Sequence, residues 1–219
     1  MSEPARATPN VRRLPPEGSR KYRALIEAAE ERFGAVGFKK ANVDEIAARA
    51  GVSKPLIYRY FPSKEALYEV VVERIVTQWC DAVTGAARRS TPSTAHTLRS
   101  ILEASLGFAR SRPVLRGLLA RESQLMLYGY SDVLVRGTAT LRRVFTETLE
   151  DGARSGEIRE DLDLAHMALV LTEVCEAFAN RLIAGAPDAG DPALLDAVIE
   201  TVLYGVVATR RTKHMTTEE

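Results

Sequence analysis

The stretch Asn42–Leu67 reads NVDEIAARAGVSKPLIYRYFPSKEAL and contains two short helical patterns on either side of a glycine. Asn42 is a predicted N-cap, and Glu45 follows it at the spacing of a capping box. A short helix is therefore predicted from residue 43 to residue 50. Gly51 ends this helix, because glycine adopts the positive φ that a tight turn demands without a steric penalty.

The second half of this stretch predicts another short helix, set at a steep angle to the first. Ser53 is its predicted N-cap, and Pro55 lies in the first turn, where a missing N–H costs nothing. The apolar or aromatic residues expected to hold the two helices together are Ile46, Ala50, Val52, Ile57 and Tyr60. Two short helices with a glycine-containing turn indicate a helix-turn-helix. A helical hairpin that binds nothing is the alternative.

The side chains of the second helix favour contact with nucleic acid. Residues 52–64 contain no acidic side chain. Arg59 can form a bidentate pair with guanine, and Leu56 can pack on a thymine methyl group. The hydroxyls of Tyr58 and Tyr60 can reach phosphate oxygens. Core packing is the alternative for Tyr60, and both roles are compatible.

Two further residues around the same helices complete this hypothesis. Asn42 and Lys64 lie at predicted helix N-termini, where backbone N–H groups favour a phosphate. Phe61 is assigned to the core instead. Ser63 is the predicted N-cap of a long helix that reaches about residue 88.

The stretch 42–67 resembles the DNA-binding signature of the TetR family of transcriptional regulators, and with the preceding helix the resemblance covers about residues 19–67. It implies an all-α homodimer whose variable C-terminal domain binds a small effector and thereby lowers DNA affinity. The base contacts implied are Lys54, Pro55, Leu56, Tyr58 and Arg59, and the phosphate contacts are Asn42, Tyr60 and Lys64. Many relatives carry Gly, Ser or Thr at the positions of Pro55 and Leu56. The bases read here therefore do not transfer from a relative.

Charge and composition agree with a cytoplasmic DNA-binding protein. The first 64 residues carry 13 basic and 7 acidic side chains, although the whole chain of 219 residues has a net charge of only +1. The excess of basic side chains in these 64 residues suggests that this part of the chain binds a polyanion. No apolar run is long enough to span a membrane, and no export signal is seen. Cys80 and Cys175 lie in apolar helical runs and are expected to be buried reduced thiols.

The predicted architecture is all-α, with a three-helix DNA-binding domain followed by a helical-bundle domain for regulation and dimerisation. Residues 1–18 contain four prolines and predict a flexible basic arm. The DNA-binding domain covers 19–67, the ligand-binding and dimerisation domain 68–210, and a tail 211–219. From Arg20 apolar residues recur on one helical face up to the glycines at 34 and 37. Later helices are predicted over 63–88, 94–111, 113–128, 131–154, 163–184 and 191–210.

The last two predicted helices suggest a subunit interface. Residues 164–183 are apolar around nearly the whole helix, except for a narrow polar strip of Glu173, Glu176 and Asn180. Such a helix must be covered on both sides, and a four-helix bundle between two subunits would do so. The predicted interface residues are Leu171, Val174, Phe178, Leu195, Val198, Ile199, Val202 and Val206. The alternative is that both helices fill the core of one subunit.

A small-molecule pocket is predicted among the middle helices. Its candidate lining consists of Trp79, Phe108, Met126, Tyr128, Tyr130, Phe145 and Phe178. These residues suit a hydrophobic or aromatic effector of unknown identity, although each is also a plausible core residue. No cofactor or metal is expected, since the three histidines complete no Glu-x-x-His pair and no phosphate-binding glycine loop occurs.

The function expected from these residues is sequence-specific DNA binding rather than catalysis. The predicted protein is a repressor, released from a palindromic operator on double-stranded DNA by its effector. Neither cysteine has a partner base at a suggestive spacing. The alternative is a helical protein-interaction adaptor without specific DNA binding. Binding to duplex DNA that falls steeply with salt would separate the two.

Overall fold

The computed structural model describes residues 20–89, 92–112, 127–183, 186 and 191–206. Within these ranges the chain is helical, which confirms the predicted all-α class. The helices are α1 (Arg20–Lys40), α2 (Val43–Ala50), α3 (Lys54–Tyr60), α4 (Lys64–Ala87), α5 (Thr94–Ser111), α6 (Leu127–Arg154), α7 (Leu164–Ile183) and α8 (Pro192–Val206). None of the described helices is long and apolar enough to cross a membrane.

The chain divides into two compact units, Met1–Val71 and Val72–Glu219. The core of the first unit is built on the apolar face of α1. Its buried residues Tyr22, Leu25, Ile26 and Phe33 follow the predicted spacing. Phe33 packs edge-on against Tyr68 of α4, with ring centroids 4.9 Å apart. Helical geometry in α1 breaks at Gly37 (φ 77°), whereas Gly34 stays within the helix.

Helix α2 begins at the predicted N-cap but lacks the full capping box. The Asn42 side chain accepts a hydrogen bond from the Asp44 N–H at 2.8 Å. Glu45 instead forms an ion pair with Arg32 of α1 at 2.5 Å. The predicted return bond from Glu45 is therefore replaced by a link between the two helices.

The turn between α2 and α3 has the predicted form. Gly51 is left-handed (φ 64°, ψ 35°), and its N–H bonds back to the end of α2. Ser53 occupies the N-cap of α3 without a side-chain capping bond. Ile57 and Phe61 are 1% exposed, so α3 packs on the core through these two residues. Phe61 stacks on Tyr22, which confirms its assignment to the core.

The second unit is built around a core shared by the later helices. Its fully buried members include Val83, Leu98, Leu141, Phe145 and Leu171. Four of the helix predictions agree with the structure to within a few residues, namely 63–88, 94–111, 131–154 and 163–184. The predicted helix 191–210 is described as far as residue 206, and residues 113–126 of the helix 113–128 lie outside the described part.

Candidate functional site

The outer face of α3 presents the predicted base-contact residues together. Lys54, Pro55, Tyr58 and Arg59 are exposed, and Leu56 is half-buried. Tyr58 is 44% exposed, so much of its aromatic ring faces solvent. Ile57 faces the core, so these residues lie together on the outward side of the helix. We call the five residues Lys54, Pro55, Leu56, Tyr58 and Arg59 the reading surface.

Lys54 of the reading surface is paired with a carboxylate from α2. Its Nζ donates to Asp44 Oδ2 at 2.8 Å, and both side chains are about half exposed. This hydrogen bond to Asp44 raises the pKa of Lys54. Within the reading surface, Arg59 is the cation that has no ion pair with another described residue. Arg59 is thus the more available of the two for an external anion.

Lys64 differs from the other predicted DNA contacts because its ammonium group is directed into the protein. Its Nζ donates to the backbone carbonyls of Phe38 at 3.0 Å, Ala41 at 3.3 Å and Lys39 at 3.5 Å. It also lies 4.4 Å from the centre of the Phe38 ring. An ammonium group has three donors, and three carbonyls accept them here. This geometry gives Lys64 the structural task of closing the end of α1.

The two remaining phosphate candidates stay near the surface. Asn42 is exposed, and its side-chain oxygen is used to cap α2 while its amide nitrogen has no described partner. Tyr60 is half-buried, with its ring 6.5 Å from that of Phe61. Both residues flank the reading surface in sequence.

The second unit contains a cavity of about 460 Å³ between α4, α5, α6 and α7. We call it the ligand cavity, and its lining residues are Val76, Trp79, Ser105, Ala109, Leu134, Val135, Thr138, Ala139, Arg142, Cys175, Glu176, Ala179 and Asn180. Its volume lies within the range of small-molecule sites, about 300–1,000 Å³. The lining is mainly apolar, which suits an apolar body.

Trp79 is fixed in the wall of the ligand cavity from two sides. Its indole Nε1 donates to Ser105 Oγ at 3.2 Å. Gly137 of α6 is buried behind it, and a Cβ at that glycine would lie 2.9 Å from the indole ring and 2.9 Å from Val76. The absence of a side chain at Gly137 is therefore what lets α6 approach the α4 residues of the wall.

Two hydrogen-bonding groups of the ligand cavity were not predicted as site residues. Thr138 Oγ1 donates to Glu176 Oε1 at 2.8 Å, joining α6 to α7. Cys175 is buried beside them, and burial raises the pKa of its thiol to about 12. The sequence did carry a signal for Glu176 and Asn180, because they form the polar strip of an otherwise apolar helix. The third member of that strip, Glu173, is exposed and does not line the cavity.

Of the predicted pocket residues, Trp79 lines the ligand cavity. Phe145 is fully buried in the core of the second unit instead, and Phe108 contacts Arg112 through its ring. Phe178 is half-buried and is not part of the lining. Met126 lies outside the described residues. The side chains of Tyr128 and Tyr130 lie outside the described part as well.

The predicted interface residues divide between the interior and the surface of one subunit. Leu171 and Ile199 are fully buried in the subunit's own core, and Val202 packs partly against it. Val174, Phe178 and Val198 are half-buried, while the side chains of Leu195 and Val206 lie outside the described part. Apolar residues that do face outward on these helices are Leu169, Val170 and Tyr204.

The α2–turn–α3 geometry and the outward basic face of α3 form a helix-turn-helix of the kind that binds DNA. Residues 25–71 match the family model described as "Bacterial regulatory proteins, tetR family". Over these residues the chain is similar to the DNA-binding domain of that family, which agrees with the resemblance noted in the sequence.

Two relatives of the chain are named as transcriptional regulators. The HTH-type transcriptional activator FasR of Mycolicibacterium smegmatis is 42% identical over 93 residues, which are 42% of this chain and 42% of FasR. The HTH-type transcriptional regulator RutR of Escherichia coli strain K12 is 27% identical over 165 residues, covering 74% of this chain and 75% of RutR. The match thus spans less than half the length of FasR.

A solved structure shows the same fold over most of the chain. The transcriptional regulator FadR from Bacillus subtilis, in complex with stearoyl-CoA, superposes with a TM-score of 0.66 at 20% identity. The superposition covers 84% of this chain and 98% of FadR. At this level of identity the likeness concerns the fold.

Proposed function

We propose that the protein is a transcriptional regulator, and not an enzyme, that binds specific duplex DNA through α3 and responds to a small molecule. The observation that carries this proposal is the reading surface, which a helix-turn-helix holds outward while Ile57 and Phe61 fix its inner side in the core. A helix presented in this way enters a major groove, where side chains distinguish all four base pairs. Its target is double-stranded DNA in the cytoplasm.

Within this proposal, the reading surface contacts base edges and its flanks contact the backbone. Arg59 pairs with a guanine, and Leu56 lies against a thymine methyl group. Asn42 and Tyr60 donate to phosphate oxygens, which orient the domain without carrying sequence information. Lys64 supports these contacts indirectly, since its ammonium group is held by three carbonyls.

The effector site of the proposed regulator is the ligand cavity. Its volume and mainly apolar walls support a hydrophobic small molecule. FadR, which has the same fold, is described in complex with stearoyl-CoA. Binding of the effector lowers operator affinity, and the coupling is reciprocal, so operator DNA weakens effector binding by the same factor. The proposed outcome is release of a repressor.

A homodimer completes the proposal. Val170 on α7 is 47% exposed and Tyr204 on α8 is 79% exposed, so apolar surface remains on the two helices predicted to join subunits. A dimer that reads a palindrome places its two recognition helices about 34–36 Å apart, or a multiple of that spacing. Tyr204→Glu should yield a monomer in sedimentation, whereas Ala153→Glu on α6 should leave the dimer intact. A Tyr204→Glu protein that remains dimeric would place the interface elsewhere.

The DNA-binding part of the proposal is tested with the DNA upstream of the gene. Fluorescence anisotropy should show binding to a palindrome in that region about a thousandfold or more tighter than to a scrambled duplex. Affinity for both should fall steeply with salt as counterions are released. Equal, salt-insensitive binding to both duplexes would favour a helical interaction adaptor instead.

A further inference from the structure

The ligand cavity is asymmetric, with one hydrogen-bonded carboxylate set in an otherwise mainly apolar wall. We propose that it takes an apolar molecule carrying a hydrogen-bond donor, an alcohol or an amine, and that Glu176 recognises this donor. The inference deepens the effector role proposed above and rests on it. Trp79 and Val76 contact the apolar body, and Glu176 with Asn180 meets the polar end.

The acceptor capacity of Glu176 supports this assignment. The hydroxyl of Thr138 has one proton and donates it to Glu176 Oε1 at 2.8 Å. A carboxylate has two oxygens and about four acceptor positions, so most of its capacity remains. Among the described residues, the partner of Glu176 is Thr138, and no ion pair of Glu176 occurs there. A ligand that covers this half-buried carboxylate without offering a donor leaves acceptors unsatisfied and is disfavoured.

The other polar groups of the cavity wall leave Glu176 as its dominant charge. The Ser105 hydroxyl accepts the indole N–H of Trp79 and also forms a hydrogen bond with Cys175. Cys175 is buried, and with a pKa of about 12 its thiol is neutral near pH 7. Arg142 also lines the cavity, but its side chain is exposed and its charge is therefore screened by solvent. A carboxylate ligand is repelled by Glu176 and only weakly compensated by Arg142.

The protein contains a built-in reporter for this test. Trp79 is the only tryptophan of the chain, and it lines the ligand cavity. Its fluorescence therefore reports binding in the cavity without a label. Octylamine, 1-octanol and octanoate share one apolar chain, do not absorb at the excitation wavelength of tryptophan, and differ at the polar end.

We expect octylamine and 1-octanol each to bind about tenfold or more tightly than octanoate when titrated against Trp79 fluorescence. In Glu176→Gln the preference of octylamine over octanoate should fall by about tenfold. Glu173→Gln is the matched control, because Glu173 lies on the same helix, is exposed and does not line the cavity. Thr138→Val provides a second variant that keeps the carboxylate and removes its protein donor. It should retain or increase the preference for octylamine.

The outcomes separate this inference from the effector role on which it rests. Equal affinity of the parent protein for all three probes, or no response of Trp79 to any of them, overturns the inference. So does an unchanged preference in Glu176→Gln, or a lost preference in Thr138→Val. If the selectivity is found but a saturating probe leaves operator affinity unchanged, the recognition by Glu176 stands and the proposed effector response fails.

Discussion

The reading surface and the ligand cavity are built in opposite ways. The five residues of the reading surface lie within six consecutive positions of α3, held by a turn and a cap that lie within a dozen residues. The ligand cavity is assembled from α4, α5, α6 and α7, whose lining residues are separated by up to about a hundred positions. Because the reading surface is built locally, the proposed DNA-binding function can be inferred from a short motif. Assembly from distant helices leaves the effector to be inferred from side-chain geometry.

The largest expected effect is the loss of structure in the first unit, which carries the reading surface, while the second unit stays folded. Phe61→Ala deletes a buried ring that stacks on Tyr22, and it should destabilise the first unit by about 3–5 kcal/mol. Amide exchange in α1–α3 should rise sharply and duplex binding should be lost. Trp79 fluorescence, which reports the second unit, should change little. Equal loss of amide protection in both units would contradict the expectation that the substitution destabilises the first unit alone.

The next effect concerns specificity within the reading surface. Arg59→Ala should weaken binding to the operator by about 1–3 kcal/mol, because a bidentate contact to guanine is lost. Arg49→Ala is a suitable control, since Arg49 is an exposed arginine of α2 that is paired with Glu31. Anisotropy titration of both variants decides the point. A comparable loss in the control would indicate a general charge effect.

A substitution at Lys64 distinguishes a structural role of this residue from a direct contact with DNA. Lys64→Met keeps the aliphatic stem and removes three hydrogen bonds to the end of α1, so it should lower the stability of the first unit by about 1 kcal/mol. Urea unfolding followed by amide exchange measures this change. The salt dependence of DNA binding should stay the same. A slope reduced by about one unit per subunit would instead identify Lys64 as a phosphate contact.

The smallest effect is an increase in affinity. Asp44→Asn removes the carboxylate that pairs with Lys54 and leaves the lysine free for DNA. Binding to all duplexes should tighten modestly, because an exposed ion pair is weak. The slope of affinity against salt should steepen at the same time. Glu45→Gln, which breaks the neighbouring pair with Arg32, serves as the control. Weaker binding by Asp44→Asn would contradict this role for Asp44.

The sequence predicted the parts of the molecule that depend on local chemistry. Asn42 caps α2, Gly51 forms the turn and Phe61 lies in the core, as predicted, because caps, positive-φ turns and apolar spacing are set by neighbouring residues. The partners of Glu45 and Lys64 were not predictable in this way, since they lie on α1, 13 and more positions away. The burial of Phe145 and the pairing of Thr138 with Glu176 depend on how distant helices pack, which periodicity does not specify.

Selection of bound sequences from random duplexes, carried out in parallel with the parent protein and Arg59→Ala, tests the central claim most directly. We expect the parent to select a palindrome whose half-sites are about one helical turn apart, or a multiple of it. We expect Arg59→Ala to select the same sequence with relaxed preference at one base pair in each half-site. No enriched sequence for the parent, or the same consensus with undiminished preference for both proteins, would contradict recognition of DNA through the reading surface.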